Sequence, residues 1–478
     1  MIDTSEAPMT QTTSTAPPVA ATSATAKSAT ATTAPELTTR PGRWIDGWDP
    51  ENTEQWETQG RSIARRNLNW SIFAEFLGFV VWQLWSIVAV SLPAAGFDLT
   101  TGEIFWLISI PSLVGATLRI PYSFLVPRFG GRNWTIISAA LLLLPTIAMV
   151  LCVGNPETPF PVLLGAAALA GFGGGNFASS MSNITFFYPQ REKGWALGLN
   201  AAGGNLGAAV AQFVVPIVIA IGAGATLNLP IAGWIWIPFI LVAMFGAARY
   251  MNNLSNAKAD FSGSAAALKE PHLWLLSLLY IGTFGSFIGF ASVFPKLIAD
   301  QFPEFSSIAV AGTSISLAFL GALTGSLARP YGGRLSDRFG GARITMTAFA
   351  SMALITVAVL ATLPLGNFWL FLGLFLLLFA SAGIGNGSTY RMVPVVFAVR
   401  GGGTGDVSTQ RKAAAALGLI SAIGAYGGFL IPQALNLSFQ STGGYGAAFA
   451  GFIAAYVVLL ALTWAVYVRP GRLSAHKI

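Results

Sequence analysis

The chain has 478 residues, of which 54% are hydrophobic and only 9% are charged, and its mean hydropathy is +0.64. Soluble domains carry about 25% charged residues, so this composition excludes an ordinary soluble protein and predicts an integral membrane protein. A net charge of +7 can indicate a nucleic-acid partner, but the distribution of basic residues between loops explains it better, and we expect no nucleic acid. One cysteine and two histidines are too few for a disulfide framework or a metal site, so we expect no cofactor and no metal.

The N-terminal region differs from the rest of the chain. Residues 1 to about 40 are rich in Ser, Thr, Ala and Pro and lack the apolar core of a signal peptide. Residues 41–66 add tryptophans and a basic end, which indicates a segment on the cytoplasmic surface ahead of the first helix. We therefore assign residues 1–60 to a disordered or surface tail.

Twelve apolar runs follow, and each is long enough to cross about 30 Å of hydrocarbon as a helix. The alternating short segments of a membrane barrel are absent, so the predicted fold class is an all-α polytopic membrane protein. The predicted spans cover residues 68–92, 104–127, 133–153, 162–187, 195–222, 230–250, 272–294, 308–331, 343–363, 368–397, 413–436 and 446–468.

These spans divide the chain into two halves of six helices each. We place the N-terminal half at 61–250, a cytoplasmic linker at 251–270, the C-terminal half at 271–470 and a cytoplasmic tail at 471–478. The linker is rich in Asn, Ala, Ser and Lys, as expected for a connection between halves.

The distribution of basic residues predicts the orientation in the membrane. If the N-terminus is cytoplasmic, all of the 26 Lys and Arg except Arg119, Arg329 and Lys296 lie in tails, inner loops or inner helix ends. The positive-inside rule therefore predicts cytoplasmic N- and C-termini.

Arg119 and Arg329 each interrupt an apolar span. A charged side chain at mid-bilayer costs at least about 2.5–3.5 kcal/mol, so two in equivalent places require a reason. Each is followed at the same spacing by an Arg-Phe-Gly-Gly run, which begins at Arg128 in the first half and at Arg338 in the second. Two cations facing each other across a pseudo-twofold axis predict a binding site for an anion.

The repetition extends to other helices. Gly171–Gly175 resembles Gly383–Gly387, and Ala196–Leu199 resembles Ala416–Leu419. Because each half holds an even number of spans, the halves share one topology about an axis along the membrane normal, as in the major facilitator superfamily. The run Gly333–Gly340 also resembles a loop motif of that superfamily. The glycine-dense segments of helices 5 and 11, Leu199–Gly207 and Gly418–Gly428, indicate close helix packing, or alternatively a close approach of the backbone to a small ligand and gliding surfaces that permit rocking.

Three stretches resemble the signature helices of the nitrate/nitrite porter family, the NarK type: Phe172–Pro189, Ala196–Gly207 and Ala415–Gly424. The resemblance covers roughly residues 41–470. It implies a transporter rather than an enzyme, with nitrate and nitrite as substrates. It also implies a multi-pass protein of the inner (plasma) membrane, in contact with the lipid bilayer, and we expect a monomer.

The same resemblance implies a binding site. In that family the arginines of the second and eighth helices bind the anion, which by position are Arg119 and Arg329. The guanidinium group suits this role, because its planar fork can donate parallel N–H bonds to two oxygens of a planar anion. The alternative is a helix-helix hydrogen bond or a salt bridge. Further substrate-binding residues implied by the resemblance, each with ordinary packing as its alternative, are Phe177, Phe284, Asn205, Tyr280, Ser421 and Gly418.

Charge balance predicts the transport mode. Two uncompensated cations repel, so closing an empty site around them is unfavourable, while a bound anion offsets much of that field. We therefore predict nitrate/nitrite antiport by rocker-switch alternating access. Glu75 in helix 1 and Arg391 in helix 10 are predicted as an inter-half salt bridge or gate element. The alternative is that Glu75 titrates, which makes the protein a proton-coupled nitrate symporter.

Overall fold

The computed structural model describes residues 37–221, 227–257, 261–310, 313–400, 407–470 and 478. Residues 1–36, and with them most of the predicted disordered tail, lie outside this description, as do residues 471–477 of the predicted C-terminal tail.

Twelve long helices follow one another in the described part of the chain. They are α1 (Thr53–Ser91), α2 (Thr101–Phe129), α3 (Gly131–Val153), α4 (Phe160–Phe187), α5 (Gln190–Ala220), α6 (Ile231–Tyr250), α7 (Pro271–Gln301), α8 (Phe319–Phe339), α9 (Gly341–Leu365), α10 (Phe368–Arg400), α11 (Val407–Ala425 continuing as Gly427–Thr442) and α12 (Gly446–Val468). Eleven of them are long and apolar enough to span a membrane, and the more highly charged α8 is the exception. The predicted all-α polytopic fold is confirmed.

A small sheet ties the N-terminal segment to the linker. Thr38–Arg40 (β1) pairs antiparallel with Trp44–Asp46 (β2), which pairs in parallel with Asn253–Leu254 (β3), just after α6. Arg40 and Asp46 form an ion pair across the first two strands, and the hydrogen bond from this guanidinium holds the pKa of the Asp46 carboxyl below its ordinary value. The linker also contains a short helix, Phe261–Leu268.

Two tryptophans anchor the same N-terminal segment. The Trp48 ring meets Phe187 edge-on at 5.6 Å, and Trp56 meets Tyr188 at 5.6 Å, both at the end of α4. The Trp56 Nε1 also donates to Glu192 at 3.1 Å. Residues 38–60, which the sequence assigned to a disordered or surface tail, therefore have defined structure against the N-terminal half.

The predicted eighth span, residues 308–331, is wrong over nearly half of its length, because the helix begins only at Phe319. Ile308–Val310 (β4) and Thr313–Ile315 (β5) instead pair as an antiparallel hairpin. Their β-branched residues fit extended backbone, and an apolar run of this length does not by itself distinguish strand from helix. Because α8 begins only at Phe319, Arg329 lies at the middle of its helix rather than near the end.

Glycines allow helix backbones to touch at the centre of each half. A Cβ on Gly173 of α4 would lie 2.1 Å from the Gly78 carbonyl oxygen of α1, and one on Gly387 of α10 would lie 2.2 Å from the Arg329 carbonyl oxygen of α8. No side chain fits at either position. Close packing therefore accounts for these glycines of the repeated segments.

The helix that carries Arg119 begins with a capping box. The Thr100 hydroxyl accepts from the Glu103 amide at 3.2 Å, and the Glu103 carboxylate accepts from the Thr100 amide at 2.8 Å. We expect Thr100→Ala to cost about 1 kcal/mol of stability and to lower the thermal unfolding midpoint of the purified protein. Thr101→Ala, one residue further into α2, is the matched control. Equal midpoints for the two variants would show that the cap contributes nothing.

Candidate functional site

Arg119 lies on α2 with its side chain fully buried (0% exposed). Its Nε donates to the Gly174 carbonyl of α4 at 3.1 Å, and its Nη1 donates to the Ser421 carbonyl and hydroxyl of α11, both at 3.0 Å. Its Nη2 has no partner among the described residues. Arg119 therefore links the two halves and keeps one nitrogen available for another acceptor.

Arg329 lies on α8 and is 7% exposed. No carboxylate in the described part of the chain pairs with it, and its Nη1 is buried without a partner. Its Cζ lies 5.7 Å from the ring centroid of Tyr390 on α10. A cation–π contact contributes about 0.5–2 kcal/mol and leaves the N–H donors of the guanidinium unpaired.

Both arginines lie against one phenylalanine. The Phe177 ring centroid on α4 is 4.5 Å from the Arg119 Cζ and 5.8 Å from the Arg329 Cζ. Phe284 on α7 stacks on Phe177 with centroids 6.4 Å apart and planes 26° from parallel, and it lies 5.1 Å from the Arg119 Cζ. Arginines and aromatic rings from both halves thus converge at one place.

Tyr280 continues this aromatic stack. Its ring is 5.2 Å from that of Phe284, with planes 16° from parallel, and its buried hydroxyl has no described partner. Asn205 on α5 is fully buried, and neither polar atom of its side chain is hydrogen-bonded within the described chain. At Gly418 on α11 an added Cβ would meet only the Ser123 Oγ, at the ordinary contact distance of 3.6 Å, so the helix is not tightly packed at this position. The described hydrogen bonds do not connect Asn205 or Gly418 to either arginine.

Three residues near the arginines were missed by the sequence analysis. Trp82 of α1 lies 5.4 Å from the Arg119 Cζ, and Tyr390 contacts both Arg329 and Tyr280. Asn176, next to Phe177, is buried with both polar atoms of its side chain unpartnered in the described structure. The sequence alone does not distinguish Trp82 and Tyr390 from other aromatic residues, because the chain contains 34 Phe, 14 Trp and 10 Tyr.

The predicted salt bridge between Glu75 and Arg391 does not form. The Arg391 Nε instead donates to Asp337 of α8 at 2.6 Å, and both side chains are about half exposed, at 48% and 58%. Glu75 is 1% exposed and accepts from the Asn200 Nδ2 of α5 at 2.5 Å. A salt bridge within the C-terminal half and a carboxyl-amide contact within the N-terminal half therefore replace the predicted contact between halves.

The unpartnered donors of this arrangement suit an anionic ligand. A buried donor without an acceptor costs about 1–3 kcal/mol, and more when it is charged. Arg119 and Arg329 each leave such a donor, and Tyr280 and Asn205 add neutral ones. An anion with several oxygens can accept from these groups, while the faces of Phe177 and Phe284 suit a flat species.

Comparison with known proteins identifies the family. The profile of the Major Facilitator Superfamily matches residues 75–432. The nitrate/nitrite transporter NarU of Escherichia coli (strain K12) is 44% identical over 448 residues, which cover 88% of this chain and 96% of NarU. The probable nitrate/nitrite antiporter NarK2 of Thermus thermophilus is 36% identical, covering 90% of this chain and 98% of NarK2. The nitrite extrusion protein of Bacillus subtilis (strain 168) is 30% identical, covering 81% and 91% of the two chains.

A solved structure supports the fold alone. A mutant of the nucleoside transporter NupG superposes with a TM-score of 0.58 at 12% identity, covering 84% of this chain and 99% of NupG. The fold and the family implied by the signature helices are thus both confirmed. The chain belongs to the major facilitator superfamily and, within it, to the nitrate/nitrite porter family.

Proposed function

We propose that this protein exchanges nitrate for nitrite across the inner (plasma) membrane, binding one anion at a time between Arg119 and Arg329. The observation that carries the proposal is the pair of buried arginines, one from each half, which share the Phe177 ring and each keep an unpartnered nitrogen. The names of the relatives in Escherichia coli and Thermus thermophilus support these substrates.

The chemistry of the two side chains suits nitrate and nitrite. Both anions are planar and carry several oxygens, and the unpartnered nitrogen of each guanidinium, Nη2 of Arg119 and Nη1 of Arg329, can donate charge-assisted hydrogen bonds to them. Phe177 and Phe284 would bound the flat faces of the anion, while Tyr280, Asn205 and Ser421 would supply neutral hydrogen bonds. Gly418 would leave room for the anion. Phosphate is tetrahedral and carries more charge, so it should fit poorly.

The buried charges favour exchange over uniport. The two guanidinium groups bring two positive charges into the buried site, and one bound monovalent anion offsets part of their field. An empty site that moves through a dry, closed state lacks this compensation. Return of the empty carrier should therefore be slow.

Specific contacts join the two halves. Near the start of α2, the Gln433 Nε2 donates to the Ser109 Oγ at 2.7 Å, and the Phe105 ring meets Tyr445 at 6.1 Å. The Lys296 Nζ, paired with an aspartate of its own helix, lies 5.9 Å from the Phe105 ring centroid. We propose that these contacts close the external end, that they break when the halves rock, and that both termini are cytoplasmic.

Counterflow in proteoliposomes tests the exchange mode. We expect vesicles loaded with nitrite to take up labelled nitrate, because a bound anion returns the carrier in each direction. Vesicles without internal anion should show no uptake above protein-free vesicles, with or without a pH gradient. Uptake into anion-free vesicles driven by a proton gradient would instead establish the alternative, a proton-coupled nitrate symporter, and exclude obligatory exchange.

A further inference from the structure

Glu75 is a buried carboxyl group that anion binding by the two arginines does not use. It lies on α1, is 1% exposed, and faces the backbone of α5, where a Cβ on Gly204 would lie 2.3 Å from its Oε1. Such close approach leaves room only for glycine. An acidic residue inside a membrane helix bundle is costly and by default indicates a function.

Two side-chain oxygens in the hydrogen-bond network around Glu75 have no donor. Its Oε2 accepts from the Asn200 Nδ2 at 2.5 Å, and the same nitrogen lies 2.5 Å from the Ser180 Oγ of α4. The Glu75 Oε1 and the Asn200 Oδ1 are both buried without a partner in the described structure. Both of these atoms are acceptors, so this carboxyl-amide pair lacks one donor.

A proton on Glu75 supplies that donor. In a neutral carboxylic acid paired with an amide, the amide N–H donates to one carboxyl oxygen while the acid O–H can donate to the amide oxygen. With Glu75 ionised, two oxygens stay unsatisfied at a cost of about 1–3 kcal/mol each. A proton on Glu75 would therefore satisfy oxygens that stay unpaired when the carboxyl group is ionised.

The charged groups that interact with Glu75 are those of the anion site. Arg119 and Arg329 both interact electrostatically with Glu75, and Tyr390 of α10 is a titratable group in the same field. Its neighbours on α4 and α5, Ser180 and Asn200, are neutral, and among the described residues no basic group of any helix forms a salt bridge with it. One turn along α1, Phe79 packs against Phe177 with ring centroids 6.2 Å apart.

From this geometry we propose that Glu75 is a proton-binding site whose occupancy sets the affinity of the central site for its anion. When Glu75 is ionised, its negative charge offsets part of the field of the arginines and weakens anion binding. When Glu75 is protonated, that offset is lost and the anion binds more tightly. By thermodynamic linkage, a bound anion must in turn favour protonation of Glu75. This deepens the proposed function, because it takes nitrate as the anion.

The proposal is tested by measuring nitrate binding to purified protein with titration calorimetry at about pH 4.5 to 9. This range spans the pKa values of both exposed and buried carboxyl groups. We expect affinity to rise on acidification, by about 5- to 150-fold in total, as is typical of coupled sites, and by no more than about tenfold per pH unit for one linked proton. Glu75→Gln should bind at the acid limit of the unmodified protein at every pH. The exposed Glu304→Gln is the matched control and should keep the full pH dependence.

The possible results separate this inference from the function it rests on. A Glu75→Gln protein that binds nitrate with the pH dependence of the unmodified chain overturns the role of Glu75 and leaves nitrate binding intact. Absence of nitrate binding by the unmodified protein at all pH values overturns the proposed function itself. If Glu75→Gln fails to fold, the proposal is tested instead by adding nitrate to the unmodified protein in weak buffer and measuring proton uptake. We expect uptake of up to one proton per anion, and no uptake at any pH contradicts the proposal.

Discussion

Replacing Arg119 or Arg329 by lysine is expected to reduce nitrate uptake to the level of protein-free vesicles while the protein still inserts into the membrane. Lysine keeps the positive charge but has one nitrogen in place of three. It therefore cannot keep the Gly174 and Ser421 contacts of Arg119 while also donating to an anion, and it cannot place a donor where the Arg329 Nη1 lies. A hydrogen bond to a charged group contributes about 1.5–3 kcal/mol, so losing one or two of them lowers affinity by at least about tenfold to a hundredfold. Nitrite-loaded proteoliposomes taking up labelled nitrate provide the measurement.

Each of these variants has a matched control on the same helix. Arg128 of α2 and Arg334 of α8 are exposed, and each lies over a neighbouring aromatic ring rather than at the central site. We expect Arg128→Lys and Arg334→Lys to transport nitrate like the unmodified protein. Near-normal transport by Arg119→Lys or Arg329→Lys would contradict the proposal that these two arginines bind the anion.

Gly387→Ala is expected to lower nitrate uptake by at least about tenfold, which corresponds to about 1.4 kcal/mol. Its added Cβ would lie 2.2 Å from the Arg329 carbonyl oxygen and 2.9 Å from the Gly333 nitrogen, and backbone atoms cannot rotate away as a side chain can. Helix α10 must therefore move off α8 at the residue that carries one of the two guanidinium groups. Overpacking of this kind costs about 1–3 kcal/mol in stability and displaces the site.

The control for this substitution is on the same helix. A Cβ on Gly373 of α10 meets nothing within 4 Å, so Gly373→Ala adds no contact. Alanine is the better helix former by up to about 1 kcal/mol, and we expect this variant to be as stable as the unmodified protein or slightly more so. Equal uptake by the Gly387→Ala and Gly373→Ala proteins would show that the close approach of α8 and α10 does not matter for transport.

The sequence predicted the central arginines because burial of charge in an apolar span is itself a signal. Arg119 and Arg329 repeat at matching positions of two halves, and no spacing rule for soluble proteins produces such a pair. The stacking partners Phe177 and Phe284 came from the resemblance to a family. Neither the charge pattern nor the family resemblance identified Tyr390 and Asn176 as site residues. Aromatic residues and amides are frequent in this chain, and only the three-dimensional arrangement distinguishes these two.

Other errors have physical causes that a single sequence does not contain. Glu75 and Arg391 are opposite charges predicted at similar depth, but the helix face that each occupies depends on packing, and Asp337 lies closer to Arg391. The pairing of β2 with β3 joins residues more than 200 positions apart, Trp44 with Asn253. Such short strands carry no local pattern of their own, so they become visible only once the helices are in place.

Equilibrium binding of nitrate to the purified protein tests the central claim most directly. The unmodified chain should bind one nitrate per molecule, nitrite should displace it, and phosphate should not. The Arg119→Lys and Arg329→Lys proteins should each bind at least about tenfold more weakly, in line with the loss of one charged hydrogen bond. Unchanged nitrate affinity in both lysine variants, with the protein correctly folded, would contradict an anion site built on these two guanidinium groups.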